Sequence, residues 1–252
     1  MISRTIKGKP TGQRPLREWR GASMSNFMDI PTPPWTLQNY VHLLDVLVSR
    51  EIRTVTIQEY DCGGEGVWLR HDVEVDLHAA VAMARVEAER GVRAHYFICA
   101  ASPLVAGQER LSRTVADELR SLGHVVGVHV LLEPFATFDE RLARDRVLVG
   151  VDVDGDASIH APGVHAAFLA KIESARRVYR RLVSGGPYYS DSTGSWRRSD
   201  PADLLVSGTP GAQLLTHPYW WSKGIDTSPH HATGDLEIKQ FMPQLYSRIS
   251  ND

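Results

Sequence analysis

Cysteine is scarce in this chain, long apolar runs are missing, and neither sign of charge prevails. Only Cys62 and Cys99 occur. With no Cys-x-x-Cys spacing, a zinc knuckle or dithiol redox pair is excluded, and a disulfide framework is not indicated. No stretch approaches the roughly 18 apolar residues of a membrane-spanning helix. Twenty-eight basic residues against thirty acidic ones leave a formal charge of −2. That balance gives no electrostatic case for nucleic acid or an anionic membrane. The basic, polar opening MISRTIKGKPTGQRPLREWRG lacks the apolar core of a signal peptide. The reading is a cytoplasmic protein. Residues 1–25 are expected to be a disordered extension, since they offer almost nothing to bury, with Met24 or Met28 as alternative starts.

What is present is a set of short apolar runs, each ending on an ionisable side chain. They are VWLRHD (67–72), HVVGVH (124–129), ASIH (157–160), PYYSD (187–191) and AQLLTH (212–217). Helical patterns or long connections separate them. Thr36 is an N-cap for a helix carrying Leu37, Tyr40, Val41, Leu44, Leu47 and Val48, and RTVTIQEY reads as a short strand. Asp76 caps a second helix that ends at Gly91. VRAHYFI is a strand, and LSRTVADELRSLG a helix ending at Gly123. FDERLARDRVLVG, HAAFLAKIESARRVYRRLV and LEIKQFMPQLYSRI are further helical patterns. GVDVDGDA lacks the Gly and Glu positions of a calcium loop and reads as a solvated turn. The alternating rhythm is that of right-handed parallel crossovers. At 252 residues the fold expected is α/β, an irregular (β/α) barrel in a single domain, over residues 26–252.

In such a barrel the C-terminal strand ends share one face, so Asp72, His129, His160, Asp191 and His217 converge there. Carboxylates and imidazoles together are the equipment of a metal-assisted hydrolase. Taken singly, each could instead close a strand as a polar turn residue. Asp72 and Glu74 stand on one side of an extended chain and can divide labour, one binding a divalent metal and the other accepting a proton. His129 is the better ligand of its strand, because His124, five residues earlier, faces the other way and opens the strand as a structural residue. Glu133 becomes a second oxygen ligand if its loop turns helically. His160 and His217 are each followed closely by proline, which stops the strand and sets the imidazole's direction. Trp220 and Trp221 offer a wall for a sugar ring, or a core edge. Asp191, Trp220 and Trp221 are taken as substrate contacts.

The stretches LRHDVEVDLHAAVAMARVEAERGVRAHYFI, SLGHVVGVHV, SIHAP, YYSDSTGSW and LLTHPYWW resemble, in order, the NodB-homology polysaccharide deacetylases (carbohydrate esterase family 4), nearest a divergent branch with an HDVD-type first motif. The resemblance implies the deacetylase type of barrel and a divalent metal, usually zinc. It also implies hydrolytic removal of an N-acyl group, usually acetyl, from an amino sugar or a surface-polysaccharide precursor. By position it makes Asp72 the proton acceptor, Glu74 and His129 metal ligands, and His217 the group that protonates the departing amine. Three departures accompany it. Glu74 stands in place of an aspartate, and Glu133 in place of a second metal histidine, so either Glu133 or His160 supplies the third ligand, with His160 preferred. SIHAP replaces an arginine–proline motif. The alternative expectation is a catalytically degenerate barrel that binds carbohydrate or regulates.

Overall fold

The structure is a computed structural model that describes residues 35–100, 108–131, 138–152, 156–160, 186–192, 194, 196, 201 and 211–221. Residues 1–25, Met28, Glu133, and the helical patterns at 165–183 and 236–249 lie outside the described residues, as do the side chains of Leu131 and His160.

Six strands form one curled, all-parallel sheet: β1 Val67–Val73, β2 His95–Ile98, β3 Val125–Leu131, β4 Ala157–His160, β5 Tyr188–Ser190 and β6 Ala212–Thr216. Their order is β4-β3-β2-β1-β6-β5. Followed around the curve, the strands come in chain order and return to β1 through β6, which makes the sheet a half-barrel of the (β/α) kind. Helices α1 Leu37–Ser49, α3 Leu77–Ala88, α4 Gln108–Ser121 and α5 Phe138–Val149 accompany it, with the short α2 Ile57–Asp61 and α6 Pro218–Trp221.

Local chemistry accounts for these elements. The Thr36 hydroxyl accepts from the Asn39 amide and opens α1. Asp76 does the same for Ala79 and opens α3, whose end is released by Gly91 at φ +66°. RTVTIQEY departs from expectation. It forms a single parallel bridge, Thr54 to Val67, and then turns into α2. The reason is a reciprocal cap, in which Glu59 N–H donates to the Thr56 hydroxyl and Thr56 N–H to the Glu59 carboxylate. That local bonding outcompetes the β-propensity of Val55 and Ile57.

β1 is buried along its whole length and divides by parity. Val67, Leu69 and Val73 join the main core with Tyr40, Leu44 and Leu47 of α1 and Leu77, Ala80 and Ala84 of α3. Trp68 points to the concave side and packs with Val55, Ile57, Tyr60 and Phe97. These rings plug the interior below the C-terminal strand ends. Gly127 permits the plug, since a Cβ there would stand 2.7 Å from the Phe97 ring and 2.6 Å from the Asp156 carbonyl.

His71, on the convex side of β1, meets a carboxylate from α3. Glu87 accepts from the Tyr40 hydroxyl and lies 2.8 Å from His71 Nε2, while its other oxygen accepts from Tyr96 at 2.7 Å. His71 Nδ1 is 2.6 Å from the Thr216 hydroxyl. His124 packs beside Tyr96, receiving the Ala94 amide at Nδ1 and facing the Ala84 carbonyl with Nε2. It is the structural histidine that strand parity predicts. Among the described residues, no helix is long and apolar enough to cross a membrane.

Candidate functional site

The concave side of β1 carries Arg70 and Asp72, two residues apart and so on one face. The guanidinium bonds Asp72 Oδ2 at 2.7 Å, both side chains being buried. Arg70 lies over the rings of Trp68 and Phe97, at 5.5 and 5.6 Å from their centroids. The plug therefore supports the cation, and the cation supports the carboxylate. Burial acts to raise the Asp72 carboxyl, but Arg70, His129 and His217 outweigh it and hold the group below the ordinary aspartate range.

β3 and β4 complete this side. Ser158 Oγ donates to Asp72 Oδ1 at 3.2 Å and lies 2.6 Å from His129 Nδ1. The opposite ring nitrogen of His129 faces Glu74 Oε1 at 3.1 Å. Glu74 sits just past the end of β1 with its side chain 15% exposed, so the pair opens outward from the buried Asp72.

The facing group comes from β5 and β6. Asp191, just after β5, is fully buried, and one of its oxygens lies 2.6 Å from His217 Nδ1. Its other oxygen accepts the His217 backbone amide at 3.0 Å and the Trp221 indole N–H at 2.9 Å. Burial acts to lower the His217 pKa, but Asp191, by charge and hydrogen bond, and then Glu74 and Asp72 raise it to about 9. At neutral pH His217 is therefore an imidazolium, and Asp72 a carboxylate.

The structure thus brings Asp72, Glu74, His129, Asp191 and His217 to one end of the sheet. His160 ends β4 opposite Leu131 in register, with its side chain outside the described residues. Asp191 serves His217 here. Trp221 packs edge-on to Trp35 at 4.6 Å and against Tyr40, so its indole braces Asp191 from within the core. Trp220 is half-buried against Gly194 and Tyr219. Two residues of the site escaped the sequence reading. Arg70 had a signal, a cation inside an apolar strand at even spacing from Asp72. Ser158 had none, because its partners come from β1 and β3.

The geometry around Glu74 and His129 can be tested against a metal. Zinc binds imidazole nitrogen and carboxylate oxygen at about 2.0–2.2 Å, which sets two tetrahedral ligands about 3.3 Å apart. The observed 3.1 Å between Nε2 and Oε1 is close to that spacing and is equally the length of the direct hydrogen bond the two groups make. Among the described residues, no group of three His, Cys, Asp or Glu side chains closes on one point. The side chain of His160, and Glu133, lie outside them. The fit is that of a ligand pair. Compared with family models, curated proteins and solved structures, the chain matches none.

Proposed function

We propose that the chain is a metal-dependent hydrolase that removes an N-acyl group, most simply acetyl, from an amino sugar or a surface-polysaccharide precursor, on a barrel of the polysaccharide deacetylase type. One observation carries the reading. A carboxylate held ionised by Arg70 and an imidazolium held protonated by Asp191 share one strand-end face, with a metal-spaced pair beside them. That is the pairing of base and acid that amide hydrolysis needs, since water must lose a proton and the leaving amine must gain one.

Glu74 and His129 would hold the metal, with His160 preferred over Glu133 as third ligand. When bound, a divalent metal, zinc by preference, polarises the acyl oxygen and makes water a better nucleophile near neutral pH. Asp72 accepts the proton from water as its oxygen attacks the acyl carbon. Arg70 and Ser158 keep the carboxylate aimed while leaving it lone pairs to spare. His217 delivers its proton to the amine nitrogen as the carbon–nitrogen bond breaks, and Asp191 stabilises the cation until then. Trp220 offers a half-buried ring beside His217 for a sugar face.

The test is zinc content together with acetate release from N-acetylated amino-sugar oligomers. Expected are retained zinc in the full chain, its loss in His129→Ala, and turnover that needs it. His217→Ala is expected to slow amide cleavage by about 10²–10⁴-fold while nearly sparing an activated acetyl ester, whose leaving group needs no proton. Stoichiometric zinc in His129→Ala, or equal losses on both substrates in His217→Ala, would overturn the assignments.

A further inference from the structure

We infer that Trp35 is a positioning residue for the Asp191–His217 pair, acting through the two supports that hold Asp191 in place. Asp191 is fully buried, with one oxygen on the His217 ring and the other on the His217 amide and the Trp221 indole N–H. Its main chain opens a turn, in which its carbonyl accepts the Gly194 amide at 3.0 Å. Trp221 is one support and this turn is the other. Both end on Trp35. The Trp35 indole N–H donates to the Gly194 carbonyl at 3.0 Å, across 159 residues of sequence. Its ring meets Trp221 edge-on, with centroids 4.6 Å apart.

The start of α1 explains how one side chain does both. Trp35 precedes the Thr36 cap, and Tyr40 is the fourth residue of the helix. Apolar residues at those two positions fix the angle at which a chain enters its helix. Here the pair also bounds Trp221, since the Tyr40 ring lies 5.3 Å from it. Trp196 closes the cluster, 5.4 Å from Trp35 and 6.0 Å from Trp221. An indole has one hydrogen to donate and accepts none. Trp221 directs its hydrogen to the carboxylate, and Trp35 directs its own to the turn. Trp35 is buried in the main core, so water does not readily replace its N–H. Without that donor the Gly194 carbonyl is released and the turn from Asp191 loosens at its far end. A displacement of about 1 Å in a group that orients a reacting side chain can cost as much as 10²-fold in rate. The restraint on Asp191 stands on hydrogen bonding and packing, whereas its effect on turnover rests on the proposed role of His217.

Trp35→Phe keeps a ring against Trp221 and removes only the N–H. In the full chain, the His217 ring N–H bonded to Asp191 is read as a low-field proton signal, assigned by its loss in His217→Asn. Trp35→Phe is expected to shift that signal upfield and to speed hydrogen exchange at the Trp221 indole. Leu47→Ala, about three turns along α1, weakens the same core and is expected to leave both readouts in place. Unchanged readouts in Trp35→Phe, or an equal disturbance in Leu47→Ala, would overturn the inference. A wild type that lacks the low-field signal, or whose Trp35 N–H exchanges as fast as an exposed indole, would overturn it with no variant having to fold. In turnover, Trp35→Phe is expected to lose about 2–10-fold more on an N-acetylated amino sugar than on an activated acetyl ester, the range of one hydrogen bond. Equal losses on both substrates would also overturn it. A wild type that cleaves neither substrate would instead refute the hydrolase reading, and the proton signals would still decide the place of Trp35.

Discussion

Asp72 and Glu87 are buried carboxylates on opposite faces of the same sheet, each beside a histidine and each fixed by hydroxyl donors. Glu87 projects from α3 with both oxygens committed, to Tyr40 and His71 on one side and to Tyr96 on the other. His124 comes within 3.6 Å but already accepts the Ala94 amide at that nitrogen, so it brings no hydrogen. Burial acts to raise Glu87, yet His71 and the neighbouring donors hold it below the usual glutamate range. Burial and the Glu87 charge push both tyrosines well above theirs. The cluster is closed and has no access to solvent. Asp72 is just as deep, but its neighbours Glu74 and His217 reach an open rim, their side chains 15% and 12% exposed. The same residue types therefore build a structural knot on one face and a candidate reaction site on the other. Access and the direction of the remaining lone pairs separate the two, and residue type does not.

The contrast is broken most directly by comparing activity and stability in paired variants. Asp72→Asn is expected to reduce turnover by about 10²–10⁴-fold, the usual worth of a positioned base, with zinc largely retained. Zinc content and acetate release in parallel check it. Loss of zinc from this variant would move Asp72 among the ligands.

Glu87→Ala is expected to act on the fold. It strands His71, Tyr40 and Tyr96 in the core, and removing one member of a buried charged set costs about 3–5 kcal/mol. Urea unfolding followed by tryptophan fluorescence reads the loss. A midpoint equal to wild type would mean that the cluster is no stabilising knot.

His217 sharpens the comparison by pH. Its folded pKa of about 9 lies above the ordinary histidine value near 6.5. Its contribution to stability is thus complete below about pH 6.5 and is lost as pH rises through about 9. Activity that uses its proton should decline over the same alkaline range. Asp191→Asn removes the main raising charge, so the alkaline limb of kcat/KM is expected to move toward neutrality. An unmoved limb would exclude His217 as the acid. Trp221→Phe should make the smallest change. It deprives Asp191 of one donor, costing about 1 kcal/mol in unfolding, with a smaller shift of the same limb.

Much of the molecule was legible before its coordinates. The capped helices, the glycine stops and the strand–helix rhythm are local features, set by hydrogen bonds and side-chain period within a few residues. The short runs ending on Asp72, His129, Asp191 and His217 announced a shared face, because parallel strands align their C-terminal ends; His160 ends β4 with its side chain outside the described residues. Where local signals competed, as at Thr54–Tyr60, a capping box readable in the sequence decided against the strand. The identity of partners was another matter. Asp191, taken as a substrate contact, bonds His217 in the structure, and Trp221, taken as a sugar wall or a core edge, lies in the core and donates to Asp191. Arg70 could have been paired with Asp72 by strand parity. Ser158 could not, since it touches Asp72 and His129 only because β4 lies in register with β3. The sequence by itself determined which residues end each strand and which face they take, since both follow from backbone geometry along the chain. Only the tertiary structure decided which charge meets which, because hydrogen bonds over 2.6–3.2 Å depend on register and curvature between strands that are distant in sequence.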